Sequence, residues 1–287
     1  MSTLPRILHG LHEIAHEHDA FIVDQWGVLH DGHTLHPGAR HALAHLRAHG
    51  PVALVSNTSS RLGPAQEVVR ALGLQDDDYD AFFTAGELAA SWLEGHIAAH
   101  GGRLSVLTLP HPQGAERLLG GLAVDLTDTV SDADVIAVMG ITRRSPKLWD
   151  APLQAAVDRG LPLLCANPDI RSLQPDGSYC WCPGAFAVRF AELGGTVHTF
   201  GKPRPDIYRA AHAALGHPAR VAAFGDSLEH DIAGANGVGF TAVLVTRGIH
   251  GPDLGLAPTD APLPGPTAAL ADRFGVKVDA ALATFRW

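Results

Sequence analysis

Short apolar runs alternating with helical stretches constrain this chain more than any other feature, because strands linked by crossover helices pair in parallel within a buried sheet. Ala20 to Val23 reads as one strand and Val52 to Val55 as the next, with a helix through Ala39 to His49 between them. Ala81 to Thr84 and a helix from Ala85 to His96 follow. Near Gly101-Gly102 the series starts again: Leu104 to Leu109, a helix through Gly114 to Leu119, Val135 to Met139, a helix around Trp149 to Arg159, and Pro162 to Ala166. This second α/β unit ends near Gly194-Gly195. Val197 to Phe200, a helix from Asp206 to Leu215, Val221 to Phe224, a helix from Ile232 and Ala242 to Val245 then read as the first unit resumed. A Pro-rich loop from Gly251 to Pro266 leads to a last helical turn near Ala268 to Phe274.

The length suits such an arrangement: 287 residues, 46% hydrophobic and 18% charged, allow one large α/β unit or two of ordinary size. With 21 basic and 30 acidic residues the net charge is −9 with His neutral, which argues against a nucleic-acid backbone as partner. No apolar window is long enough for a membrane span, and the N-terminus lacks the basic-then-apolar layout of a secretion signal, so a cytoplasmic location with no membrane partner is expected. The three cysteines, Cys165, Cys180 and Cys182, are poor material for a disulfide framework and read as unpaired thiols. His12 with His16, and His41 with His45 and His49, recur at helical spacing, but in Ala-, Leu- and charge-rich segments typical of surface helices and with no HExxH pattern.

Four strand ends share one character: each closes an apolar run and opens into a polar loop. They are Asp24, then Ser56-Asn57-Thr58, then Gly201-Lys202-Pro203, then Gly225-Asp226-Ser227-Leu228-Glu229-His230-Asp231. Open parallel sheets bind ligands outside the carboxyl ends of their strands, so these groups can converge. Together they supply a nucleophilic carboxylate, a hydroxyl and amide, a cation and two further acids, the set needed to hold Mg²⁺ and a phosphate. Each also has a local reading: Ser56-Asn57-Thr58 as a turn or helix cap, Lys202-Pro203 as a solvated loop, Asp226-Ser227 as a cap for the helix bearing Asp231.

The ordered set, from Asp24-Gln25-Trp26-Gly27-Val28-Leu29 to Asp231-Ile232-Ala233-Gly234-Ala235-Asn236-Gly237, resembles the haloacid dehalogenase superfamily of hydrolases. The resemblance is to subclass IIA, which carries a large α/β cap inserted after the second motif; Ala166-Asn167-Pro168-Asp169 and Pro183-Gly184-Ala185 resemble that cap. It implies an α/β fold with a doubly wound, Rossmann-like core over 1–97 and 196–287 and a cap over 98–195. It further implies an Mg²⁺ cofactor and hydrolysis of a small phosphorylated metabolite, and leaves homo-oligomer formation open.

By that resemblance Asp24 attacks phosphorus to give an aspartyl-phosphate that water then cleaves. Ser56 donates to a phosphoryl oxygen with Asn57 helping to orient it, and Lys202 offsets charge on the phosphoryl group and on Asp24. Asp24, Asp226 and the backbone carbonyl of Trp26 ligate the metal, with Asp231 behind them. Arg143, Asn167 and Asp169 are the cap residues that could face substrate.

One departure matters. Phosphatases of this family have a second Asp two residues after the nucleophile as general acid and base, and here that position is Trp26. A positioned general acid/base contributes about 10²–10⁴-fold, so ordinary monoester hydrolysis should be slow unless His30 or Asp31 substitutes or the leaving group is good. Two alternatives stand beside the phosphatase reading: a protein that binds a phosphorylated ligand without turnover, and a dehalogenase- or phosphonatase-like enzyme; of these last two, a dehalogenase has no phosphate to neutralise and no use for the retained acids.

Overall fold

The computed structural model describes residues 4–174 and 176–287. The chain divides into two compact units, one of 1–56, 66–83 and 202–287, the other of 57–65 and 84–201, a wider span than the expected insert at 98–195.

The first unit is built on a seven-stranded sheet. Its order is Arg6–Leu8, Ala280–Leu282, Thr241–Val245, Val221–Gly225, Ala20–Val23, Val52–Ser56 and Ala81–Thr84. From Arg6–Leu8 to Val52–Ser56 the neighbours pair in parallel. Three adjacent strands, Val221–Gly225, Ala20–Val23 and Val52–Ser56, are buried along their whole length. Such strands read as unbroken apolar runs because both faces are covered. The chain winds outward from Ala20–Val23 through Val52–Ser56 in one direction and from Val221–Gly225 through Thr241–Val245 in the other. The strand order therefore reverses between Ala20–Val23 and Val221–Gly225, and a crevice opens at the carboxyl ends of strands at such a switch point.

The second unit carries a five-stranded sheet in the order Val197–Thr199, Leu163–Cys165, Val135–Val138, Leu104–Leu109, Val124–Thr127, parallel throughout. Alternate residues feed two cores. Val106, Val135 and Ala137 pack with Ala89 and Leu93 of the helix Ala85–Ala99. Leu107, Ile136 and Val138 pack with Leu153 of the helix Asp150–Asp158 and with Phe186 and Phe190 of the helix Pro183–Glu192. An antiparallel hairpin, Arg171–Leu173 with Tyr179–Trp181, completes the unit.

Cys165, Cys180 and Cys182 are buried free thiols. Among the described residues, no helix is long and apolar enough to cross a membrane.

Candidate active site

Register brings the strand tips of the first unit together. Val23 lies opposite Phe224 on one side and Leu54 on the other, so Asp24, Gly225 and Val55 stand level at adjacent strand ends. The Asp24 amide donates to the Phe224 carbonyl at 2.9 Å, which extends the pairing by one residue and holds the Asp24 backbone at the switch point.

Lys202 enters from the loop before the helix Pro205–Ala214 and is buried. Its ammonium donates to the carboxylate of Asp24, to Oδ1 of Asp231 at 2.7 Å and to the Val55 carbonyl at 3.2 Å. Hydrogen-bonded carboxylates and a carbonyl are how a buried ammonium is kept charged. Asp231 is held in turn: its Oδ2 accepts from the Ser227 amide at 3.1 Å, and the Tyr208 hydroxyl donates to its carbonyl at 3.1 Å. Ser227, not Asp226, caps the following turn, its hydroxyl accepting from the His230 amide at 3.3 Å. Asp226 accepts from the Ile249 amide at 2.8 Å instead.

Carboxylate atoms of Asp24, Asp226 and Asp231 lie within 4.8 Å of one another, and all three residues are buried. Fully ionised, three acids against one ammonium would put two uncompensated negative charges in a low-dielectric site, so the acids resist ionisation. Burial pushes the Asp24 carboxyl up to about 7, Lys202 drawing it down and Asp231 pushing it further up. Burial, then Asp24 and Asp231, hold Asp226 well above the usual carboxylate range. Burial lowers the Lys202 ammonium, but Asp231 and Asp24 more than offset it and keep it well above its ordinary value. An oxygen-only donor set in which acids outnumber the ammonium fits a hard divalent cation such as Mg²⁺, which would favour the ionised forms of Asp24 and Asp226.

Two glycines, Gly27 within the first motif and Gly248 outside the motifs, make this cluster fit. A Cβ at Gly27, whose φ is +85°, or at Gly248 would coincide with the Asp226 carboxylate. Gly248 lies just beyond the strand Thr241–Val245, so it repeats the strand-tip pattern of the other four loops.

Trp26 is 36% exposed. Its indole lies against Gly32, where a Cβ would collide with the ring, and edge-on to His30 with centroids 6.0 Å apart. His30 accepts from the Gly32 amide through Nδ1 at 3.1 Å, which places its proton on Nε2. Burial, helped by His36 and opposed by Asp31, lowers its pKa to about 4, so it is neutral at pH 7 and a poor acid. Asp31 accepts from the His33 amide at 2.9 Å and the Thr34 amide at 2.7 Å, closing its own turn.

Ser56 is buried at the end of its strand. In the second unit, Asn57 donates through Nδ2 to Asp169 Oδ1 at 2.8 Å. Asn167 Oδ1 accepts from the Asp169 amide at 2.9 Å, and Arg143 pairs with Asp176 at 3.0 Å across an exposed turn. The structure thus gathers Asp24, Lys202, Asp226 and Asp231 in one cluster and joins Asn57 to Asp169.

Such a switch-point sheet with a lysine-bound acid cluster defines a class of hydrolase, and comparison with known proteins agrees. The family model described as haloacid dehalogenase-like hydrolase matches residues 21–116, and a related HAD-hydrolase-like model matches 199–271. A haloacid dehalogenase-like hydrolase from Brucella suis 1330 is 26% identical with a TM-score of 0.77, over 98% of this chain and 100% of that one. A p-nitrophenyl phosphatase from Archaeoglobus fulgidus is 23% identical with a TM-score of 0.66, over 93% and 96% of the two chains. A glycerol phosphate phosphatase from Mycobacterium tuberculosis, solved in complex with magnesium, is 24% identical with a TM-score of 0.61, over 82% of this chain and 70% of that one. Comparison with curated proteins finds no match. The chain belongs to the haloacid dehalogenase-like hydrolases. Its architecture is consistent with subclass IIA.

Proposed function

We propose that the chain is an Mg²⁺-dependent phosphatase of small phosphorylated metabolites whose proton transfer is curtailed by Trp26. The observation that carries this reading is the buried cluster of Asp24, Asp226 and Asp231 around Lys202. A carboxylate nucleophile alone would need no such acid excess, whereas phosphoryl transfer needs a cation and an ammonium around one attacking oxygen. The glycerol phosphate and p-nitrophenyl phosphatases among its structural neighbours support the same substrate class.

Asp24 attacks phosphorus as the ester P–O bond breaks, giving an aspartyl-phosphate and an alkoxide; water then adds at phosphorus, releasing inorganic phosphate and regenerating Asp24. Mg²⁺, held by Asp24, Asp226 and the Trp26 carbonyl with Asp231 behind them, supplies charge neutralisation of the phosphoryl oxygens. Lys202 balances Asp24 and the transferring group. Ser56 donates to a phosphoryl oxygen, with Asn57 orienting the turn. No carboxyl stands at position 26 to protonate the alkoxide, so the leaving group takes its proton from solvent, and good leaving groups are favoured. The segment 98–195 serves as the cap that selects substrate, Arg143 being its candidate anion contact. Three buried thiols fit a reducing, cytoplasmic setting.

The test is hydrolysis of p-nitrophenyl phosphate with and without Mg²⁺ by the wild type, Asp24→Asn and Trp26→Asp. Metal-dependent turnover that Asp24→Asn abolishes and Trp26→Asp raises is the expected result. Tight orthovanadate binding without turnover in any form would establish the non-catalytic binding reading instead.

A further inference from the structure

Asn57 and Asp169 are far apart in sequence, yet they pair within the second unit. Asn57 is buried, and its Nδ2 donates to Asp169 Oδ1 at 2.8 Å. Its Oδ1 lies 2.5 Å from where a Cβ of Gly201 would stand, so glycine at 201 is what admits the carboxamide. The Asp169 backbone is held at both its amide and its carbonyl. Its amide donates to Asn167 Oδ1 at 2.9 Å, and its carbonyl accepts from the Gly184 amide at 3.0 Å. The Asn167 carbonyl accepts from Cys165 Sγ at 3.1 Å, and a Cβ at Gly184 would overlap the Pro168 carbonyl. The strand Leu163–Cys165 and the helix Pro183–Glu192 therefore both brace the carboxylate that Asn57 meets. On the near side, the Gly86 amide donates to the Thr58 carbonyl at 3.0 Å, tying the same turn to the helix Ala85–Ala99.

A carboxylate is an unsuitable phosphate ligand, because like charges repel most where water is scarce. An amide donor committed to that carboxylate is aimed by it. We infer that Asp169 is a positioning residue that acts through Asn57, setting the carboxamide between itself and Gly201 and so fixing the backbone at the two points, Asn57 and Gly201, from which the chain continues by one peptide bond to Ser56 and to Lys202. The inference rests on the proposed phosphatase reading and refines it: Asn57 orients the site through its bond to Asp169 and is not itself a phosphate ligand.

A reciprocal exchange tests it. Asn57→Asp places two carboxylates together, and Asp169→Ala removes the anchor. Each should lower kcat on p-nitrophenyl phosphate about tenfold to a hundredfold through misplacement of the site, with KM changed by no more than about threefold. In the double variant Asn57→Asp/Asp169→Asn the amide at 169 donates to the carboxylate at 57, restoring the bond with its partners exchanged. Its kcat should return to within about fivefold of wild type, the signature of pairwise coupling. If Asn57 donates directly to phosphate, the double variant stays as impaired as Asn57→Asp, and the inference fails; wild-type kcat in Asp169→Ala overturns it equally. Should Asp169→Ala not fold, Asp169→Asn, of nearly the same volume, replaces it in the cycle. If the wild type itself does not turn over, the phosphatase reading falls, and orthovanadate affinity across the same proteins decides the pairing: recovery in the double variant upholds it and no recovery refutes it.

Discussion

Asp226 occupies space that a single methyl group at Gly27 or Gly248 would take. Overpacking of this kind costs about 1–3 kcal/mol, and here the displaced group is a buried acid whose neighbours are set by its position. Gly248→Ala should therefore lower stability by about 2 kcal/mol in urea unfolding and reduce hydrolysis by about a hundredfold; wild-type values in both would show that Asp226 can move without consequence. At Trp26 the change runs the other way. Restoring a carboxyl there should raise kcat about tenfold to a hundredfold, at the lower end of what a placed acid/base contributes, because the surrounding turn is shaped for an indole. Asp24, Lys202, Asp226 and Asp231 were legible in the sequence because charged residues at the ends of apolar runs are costly unless used. The glycines were not, since a missing Cβ carries no signal until one knows which side chain passes over it.

Among the elements, the helix Ala39–Arg47 is tied to the segment before Ala81–Thr84 by Asp80, which accepts from Arg47 Nη2 at 2.7 Å and from the Val52 amide at 2.8 Å. Those bonds, the Arg47 pairing foremost, hold its carboxyl below the ordinary range. A depressed pKa means that the contribution is complete above the unfolded value and is lost as pH falls through the folded one. Asp80→Asn should thus cost about 1 kcal/mol at pH 7 by denaturant titration and progressively less as the pH falls below the ordinary carboxylate range; an equal loss at every pH would sink the assignment. Long apolar runs such as Leu104–Leu109 were legible because a strand buried on both faces can be little else. The strand Val124–Thr127 and the hairpin of Arg171–Leu173 and Tyr179–Trp181 escaped notice: they are short and half-exposed, and their pairing is decided by partners distant in sequence or across a turn.

For the molecule as a whole, a divalent cation that binds only the folded acid cluster must stabilise the fold. Mg²⁺ at about a hundred times its Kd should add about 2.7 kcal/mol, seen as a rise in melting temperature that Asp226→Asn removes; an unchanged melting temperature in the wild type would show that the cluster holds no Mg²⁺. Acid acts in the opposite sense through His36, whose pKa burial, helped by Arg247 and opposed by Asp31, lowers to about 4. The unfolded chain then binds the extra proton first, so stability is full above pH 6.5 and declines towards pH 4. His36→Gln should flatten that decline in unfolding titrations between about pH 7 and 4, and an unaltered slope would clear His36 of the effect. The sequence by itself determined the α/β class, the order of the long apolar strands and their crossover helices, the charged strand tips and the missing acid at position 26, because these depend on local periodicity and on the cost of burying polar groups. Only the tertiary structure decided that Asp24, Asp226 and Asp231 share one buried site with Lys202, that Gly27 and Gly248 make room for Asp226, and that Asn57 meets Asp169, because strand register and close packing join residues that no local pattern connects.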